Sequence, residues 1–282
     1  MRATVQLFEA WLAIAIVLTA GVFLGSEWVL RRSHAVPADH VAVPTDAASI
    51  AEGGRLARLA GCRSCHGPEV RGLVWSSDWL SGTIAPPSIP RKIAHYSNDE
   101  LVRLLRYGVK KDGSSLFIMP TVALRNWADV DLGRMIAWLR AQRPGAADSK
   151  AETSFGPLPR IEMLTGTMRA SFRSAKLAPA VRPAETGRYL YDAICSECHH
   201  LGRPTPIDEQ LAPALAPMAA SYDPAAFRRL LRSGVGQGRR DLGLMSEIAR
   251  ENTYVLIDPE IAALQDYLRG EAAKLGHSKP IR

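Results

Sequence analysis

The sequence predicts an all-α chain in which one N-terminal membrane helix precedes two tandem copies of a compact helical unit. Three observations support this: an uncharged segment at residues 10–24, internal self-similarity, and amphipathic segments with the period of helices rather than strands. In chain order, we expect an anchor at residues 8–30, a tether at 31–48, a first unit at 49–143, a linker at 144–183 and a second unit at 184–272.

The N-terminal segment is long enough to cross a bilayer. The stretch "AWLAIAIVLTAGVFL" begins at Ala10, and extending it to Leu30 gives about 20 residues, the usual length of a spanning helix. Trp11 and Trp28 would then lie at the two interfaces. Two alternatives are a signal peptide cleaved near the "SHA" at residues 33–35 and a buried helix of a soluble protein.

Two blocks of sequence occur twice. The stretch "GRLARLAGCRSCH" from Gly54 aligns with "GRYLYDAICSECH" from Gly187. The stretch "YSNDELVRLLRYGVKKDGSSLFIM" from Tyr96 aligns with "YDPAAFRRLLRSGVGQGRRDLGLM" from Tyr222. Aligned copies indicate a tandem duplication of a unit made of helix, cysteine motif, proline loop, helix, methionine loop and helix.

Local signals define the helices of the first copy. Ser97 or Asn98 is expected to cap a helix that has Glu100 in its first turn, and Gly108 is expected to end it. A last helix is predicted to begin near Asp129 and to end before the proline at position 144.

All four cysteines lie in two Cys-x-x-Cys-His motifs. The motifs are Cys62, Cys65 and His66, and Cys195, Cys198 and His199. This pattern is the attachment signature of c-type haem. Thiols three residues apart reach the two vinyl groups of one porphyrin, and the adjacent histidine can ligate the iron. One alternative is a Cys₄ zinc site shared by the two motifs, which leaves the repeated histidine unexplained. Another is a redox dithiol, which would normally lie in a βαβ unit. The sequence therefore predicts two covalently attached haem c groups.

The self-alignment also indicates the sixth ligands. Met119 and Met245 lie opposite each other at the ends of the aligned blocks, and a thioether raises the reduction potential and closes the iron. The other methionines considered, Met163, Met168 and Met218, are predicted to be packing or surface residues.

Prolines between each motif and the next helix are candidates for supporting the ligands. A carbonyl of Pro87 or Pro213 could accept a hydrogen bond from Nδ1 of the ligating histidine and fix its tautomer. Trp138 and Tyr267, which align in the final helices, are predicted to pack the first and last helices of each unit together.

At these residues the chain resembles the class I cytochromes c in tandem dihaem form. The resemblance covers about residues 49–142 and 184–270. It implies three or more helices around each haem, an exposed haem edge and assembly outside the cytoplasm. Two features depart from the family pattern: the long linker, and Ser246 in the place that Pro120 occupies after Met119.

The resemblance implies a single-pass protein of the bacterial inner membrane, with both units in the periplasm. The arginine count opposes this orientation, because Arg31 and Arg32 follow the segment and only Arg2 precedes it. Haem attachment requires the periplasmic side, and this requirement outweighs the orientation that the number of flanking arginines favours.

An anchor with two such units looks like the electron-accepting subunits of membrane dehydrogenases or the cytochrome c subunits of haem–copper oxidases. The expected function is to relay electrons from a periplasmic or membrane donor to a terminal oxidase or a soluble cytochrome, without a substrate site of its own. A dihaem peroxidase or a thiosulfate-type dehydrogenase with one open or non-methionine haem is the alternative, and a haem-based sensor is a third. The charge of +7 suits a membrane surface or an acidic partner. Nucleic-acid binding is not expected, because no basic run has interleaved aromatic residues.

Overall fold

In the computed structural model, residues 2–121, 124–173, 179–207 and 210–277 are described, and residues 174–178 of the predicted linker lie outside them. The prediction of a mostly helical chain is confirmed. The earlier helices are α1 (Arg2–Arg31), α2 (Ala47–Leu59), α3 (Cys62–His66), α4 (Ile89–Ile93), α5 (Asn98–Tyr107) and α6 (Asp129–Ala141). The later helices are α7 (Pro157–Thr165), α8 (Thr186–Leu190), α9 (Leu215–Ala220), α10 (Pro224–Ser233), α11 (Leu244–Glu251) and α12 (Asp258–His277).

Helix α5 begins and ends where the sequence predicts. The backbone N–H of Glu100 donates to Ser97 Oγ at 3.1 Å, and the backbone N–H of Ser97 donates to Glu100 Oε2 at 2.7 Å. This reciprocal capping box satisfies two N–H groups that the first turn leaves without helical partners. Gly108 ends the helix with φ at 70°, a left-handed conformation that glycine adopts without steric cost.

A strictly all-α chain is a wrong prediction, because two small sheets are present. Strands β1 (Ser76–Asp78), β2 (Gly82–Ile84) and β3 (Ser154–Phe155) form one antiparallel sheet, and β4 (Thr205–Ile207) pairs with β5 (Gln210–Ala212). The turn after β1 is closed by the Asp78 carboxylate, which accepts from the backbone N–H groups of Leu80 and Ser81. A turn of this kind is fixed by one side chain. It produces no hydrophobic periodicity in the sequence, so the pattern of apolar residues does not predict it.

Glycines allow the first and last helices of each aligned unit to cross closely. A β-carbon at Gly54 would lie 2.8 Å from the ring of Trp138. A β-carbon at Gly187 would lie 2.1 Å from the backbone oxygen of Ala263 and 2.6 Å from the β-carbon of Tyr267. Trp138 and Tyr267 therefore do pack against the first helix, as the sequence analysis expects.

Replacing Gly187 with alanine is expected to destabilise the protein by roughly 2–3 kcal/mol, because the new methyl group meets a backbone oxygen and the two helices must separate. The matched control is Gly270→Ala in α12, where nothing lies within 4 Å. The control should be neutral or stabilising by up to about 1 kcal/mol. Denaturant unfolding measures the free energy of unfolding of both variants. Equal values would contradict the prediction, because they would show that the crossing accommodates a methyl group at residue 187 without cost.

The two sets of helices share one continuous core. Buried apolar side chains from α2, α6, α8 and α12 belong to the same cluster, including Leu56, Ile136, Leu190 and Leu264. The segment between α6 and α8 thus joins parts that touch directly.

One helix in the described part of the chain is long and apolar enough to span a membrane: Thr4–Arg31 within α1. The coil that follows it is packed rather than free. Val41 is 2% exposed, and Asp39 Oδ2 lies 2.7 Å from Nη1 of the buried Arg106. The predicted tether therefore holds α1 against the helical body.

Candidate haem-binding sites

The first cysteine motif forms a short helix of its own. Gly61 precedes α3 with φ at 80°, which lets the chain turn sharply out of α2 into the motif. His66, at the end of α3, has its Nδ1 2.8 Å from the backbone oxygen of Pro87. With Nδ1–H donating to that carbonyl, Nε2 is the nitrogen available to a metal.

The second motif has the same arrangement, although its local backbone differs. A π-helical turn from Tyr191 to Cys195 continues α8 into the motif. Nδ1 of His199 lies 3.0 Å from the backbone oxygen of Pro213. The structure thus brings together each predicted histidine and the proline predicted to support it.

Burial keeps the motif side chains neutral. It lowers the pKa of His66 and of His199, while the proline carbonyls act in the opposite direction. It raises the pKa of the Cys62 and Cys195 thiols to about 12. A neutral imidazole is the form that ligates iron. Within the described ranges, no three His, Cys, Asp or Glu side chains form a group that could hold a metal ion.

A cavity of about 700 Å³ adjoins the second motif. Cys195, Cys198, His199 and Met245 all line it, together with apolar side chains. Its volume lies within the roughly 300–1,000 Å³ of pockets that enclose cofactors. A mostly apolar cavity with two thiols, an imidazole and a thioether on its walls is the donor set that a c-type haem requires, so these residues fit the group.

Met119 of the first unit is partly buried against the shared core. It follows the loop after α5, whose backbone is fixed by the bond from the Leu116 N–H to the Gly108 oxygen at 2.8 Å. Within the first motif, Arg63 stacks its guanidinium 5.2 Å from the centre of the Trp138 ring, and its Nε is buried without a hydrogen-bond partner.

The two motifs lie close to each other across the shared core. The hydroxyl of Ser64, inside the first motif, hydrogen-bonds Oδ1 of Asn252. Burial, and then the nearby carboxylates of Glu197 and Glu251 in the second unit, raise the pKa of the Cys65 thiol. The two candidate sites are therefore neighbours in space.

Sequence reasoning missed several residues of the second cavity. Leu59 and Ala60, from the end of α2, line the cavity beside the second motif, and so does Asn252. Met218 lines it as well, although its sequence position suggested packing or surface. Contacts between distant segments create this lining, whereas the second cysteine motif and the alignment of Met245 with Met119 are the sequence signals that point to the cavity.

Comparison with known proteins gives one family match. Residues 182–268 match the family model described as cytochrome C oxidase, cbb3-type, subunit III. This part of the chain is therefore similar to a cytochrome c family. The match covers the predicted second unit almost entirely, with its motif and Met245.

Curated relatives extend the similarity over most of the chain. The fructose dehydrogenase cytochrome subunit of Gluconobacter japonicus is 25% identical over 80% of this chain and 53% of that protein. The alcohol dehydrogenase (quinone) cytochrome c subunit of Gluconobacter oxydans is 25% identical over 81% of this chain and 56% of that protein. The gluconate 2-dehydrogenase cytochrome c subunit of Pantoea cypripedii is 25% identical over 80% of this chain and 60% of that protein. The chain thus spans between about half and three fifths of the length of these relatives.

Proposed function

We propose that this chain is a membrane-anchored dihaem c-type cytochrome that accepts electrons from a dehydrogenase and passes them to a terminal oxidase or a soluble cytochrome. The observation that carries the proposal is the repeated site geometry. In both motifs a histidine beside two cysteines holds its Nδ1 against a proline carbonyl, at 2.8 and 3.0 Å.

The proposed haem attachments are the cysteines of each motif, with His66 and Met119 as axial ligands in the first unit and His199 and Met245 in the second. The alignment of the two methionines supports this assignment, and so does the place of Met245 on the same cavity wall as His199. Each haem, when bound, would carry one electron by cycling between Fe(III) and Fe(II).

The protein residues would supply three things. Pro87 and Pro213 orient the imidazoles and make them better donors. Apolar walls exclude water from the iron ligands and thereby help to set the potential. The hydrogen bond between Ser64 and Asn252 joins the first motif to the second unit, so that an electron would pass between neighbouring sites.

The relatives support a dehydrogenase as the donor, because three of them are named as cytochrome subunits of sugar, alcohol or gluconate dehydrogenases. The proposed location is the bacterial inner membrane, with α1 as a single span and both units in the periplasm. The chain itself would have no substrate site.

Haem content tests the proposal directly. The mass of the intact chain, purified from membranes after haem maturation, is expected to include two covalent haem groups. The double variant Cys195→Ser/Cys198→Ser is expected to retain one, since the first motif is untouched. A wild-type chain with a single haem, or a variant with unchanged haem content, would contradict the dihaem assignment.

A further inference from the structure

Helix α7 crosses the C-terminal end of α1. Arg160 donates from Nη1 to Ser26 Oγ and from Nη2 to Glu27 Oε1, both at 2.8 Å, and its guanidinium lies 4.6 Å from the centre of the Phe23 ring. One turn later, Leu164 approaches α1 so closely that a β-carbon at Gly25 would lie 3.2 Å from its Cδ2. Two successive turns of α7 therefore stay at the level of residues 23–27.

With α1 spanning a bilayer, that level would correspond to the edge of the hydrocarbon core. Residues 10–26 carry no charge and lie between Glu9 and Glu27. At 1.5 Å per residue they extend for about 25 Å, most of the roughly 30 Å of a bilayer's hydrocarbon core. The ion pair of Glu27 with Arg160 thus marks the polar boundary, and α7 lies beside it.

An exposed apolar surface, here called the juxtamembrane patch, begins at this crossing. It consists of Trp79, Leu80, Leu158, Ile161 and Leu164, whose exposed fractions are 82, 39, 40, 45 and 44%. The patch is continuous because the backbone N–H of Leu158 donates to the oxygen of Leu80 at 3.1 Å, which joins the β1–β2 turn to the start of α7. Contiguous apolar surface of this kind indicates an interaction site.

We propose that the juxtamembrane patch lies in the headgroup region of the bilayer that α1 spans, with lipid as its occupant. This inference rests on the proposed membrane anchoring. The patch continues directly from a spanning helix at its polar boundary, and its most exposed member is a tryptophan, the residue type enriched at membrane interfaces. An amphipathic helix lying in the interface buries its apolar face among the acyl chains in this way.

The consequence is a fixed orientation of the haem-binding body above the membrane. The coil after α1 is packed on the body through Val41 and the Arg106–Asp39 pair, and α7 adds a second attachment to α1. With the patch in the interface, the haem-binding body can neither tilt freely nor rotate freely about α1.

Photolabelling from lipid tests the inference. The full-length holoprotein is placed in phospholipid nanodiscs that contain a lipid with a diazirine on its acyl chain near the headgroup, irradiated, and mapped by peptide mass spectrometry. We expect adducts in α1, at residues 79–80 and at 158–164. The exposed Leu211 and Val181, at 64 and 69%, are internal controls and should remain unlabelled, because exposure alone does not bring a side chain to lipid.

The outcomes separate the two hypotheses. Adducts confined to α1 would keep the anchor but overturn the inference, because lipid would then not cover the patch. The absence of adducts in α1 would overturn the anchor and, with it, the inference. The variant Leu158→Glu/Ile161→Glu should lower labelling at residues 157–165 several-fold with haem content unchanged, whereas Val181→Glu should leave that labelling as it is.

Discussion

Replacing Met245 with histidine is expected to lower the reduction potential of one haem by on the order of 0.2 V, within the ~0.8 V that axial ligands span. The reason is that imidazole is a harder donor than a thioether and favours Fe(III). Replacing Met245 with alanine should instead leave one iron open, so that carbon monoxide binds to half of the reduced haem. Spectroelectrochemical titration and carbon monoxide difference spectra measure the two effects.

Met218 provides the matched control for this experiment, since it lines the same cavity as Met245. Met218→Leu preserves the apolar volume and is expected to change neither the potential nor the response to carbon monoxide. If Met218→Leu opened the iron and Met245→Ala did not, the ligand assignment of the second unit would move to Met218.

Breaking the ion pair between Arg55 and Glu260 is expected to destabilise the protein by about 3 kcal/mol. Arg55 donates from Nη1 and Nη2 to the two carboxylate oxygens of Glu260 at 2.8 and 2.9 Å, and the Glu260 side chain is 5% exposed. Arg55→Ala leaves a buried carboxylate without its bidentate partner, and such losses cost roughly 3–5 kcal/mol. We expect a loss at the lower end of this energy range, because Arg182 remains 3.7 Å from Glu260 and partly replaces the lost charge.

Two further variants give this prediction its controls. Arg55→Met/Glu260→Gln removes both charges and should recover much of the lost stability. Arg188→Ala removes an arginine that is 63% exposed and whose acidic neighbours lie at 3.7 and 4.0 Å, so it should cost less than about 1 kcal/mol. Denaturant unfolding of the holoprotein provides the measurement. Equal losses for Arg55→Ala and Arg188→Ala would show that the interface between the units is not held by this pair.

Local chemistry made several elements predictable. The boundaries of α5 follow from Ser97, Glu100 and Gly108, which act within their own turns. Each cysteine motif can be recognised from five consecutive residues, without information from the rest of the chain. The proline carbonyls could be predicted because each proline lies between its motif and the next helix, and each carbonyl is within hydrogen-bond range of a histidine Nδ1.

Long-range pairing explains what the sequence did not reveal. Arg55 and Glu260 are far apart in the chain, and neither carries a local signal that names the other. The crossing of α7 over α1 depends on Arg160 meeting Ser26 and Glu27 in the same way. The β1–β2 hairpin depends on the Asp78 turn, and its strands are too short for a period to be visible.

We propose that two closed haems with histidine and methionine ligands make this chain an electron carrier. Absorption spectra of the purified holoprotein, oxidised and reduced, with carbon monoxide added to the reduced form, provide the test. We expect two haems per chain, the weak long-wavelength band of iron–thioether ligation in the oxidised state, and no change on adding carbon monoxide. Binding of carbon monoxide to one haem of the wild-type protein would contradict it and would favour an enzyme with an open iron.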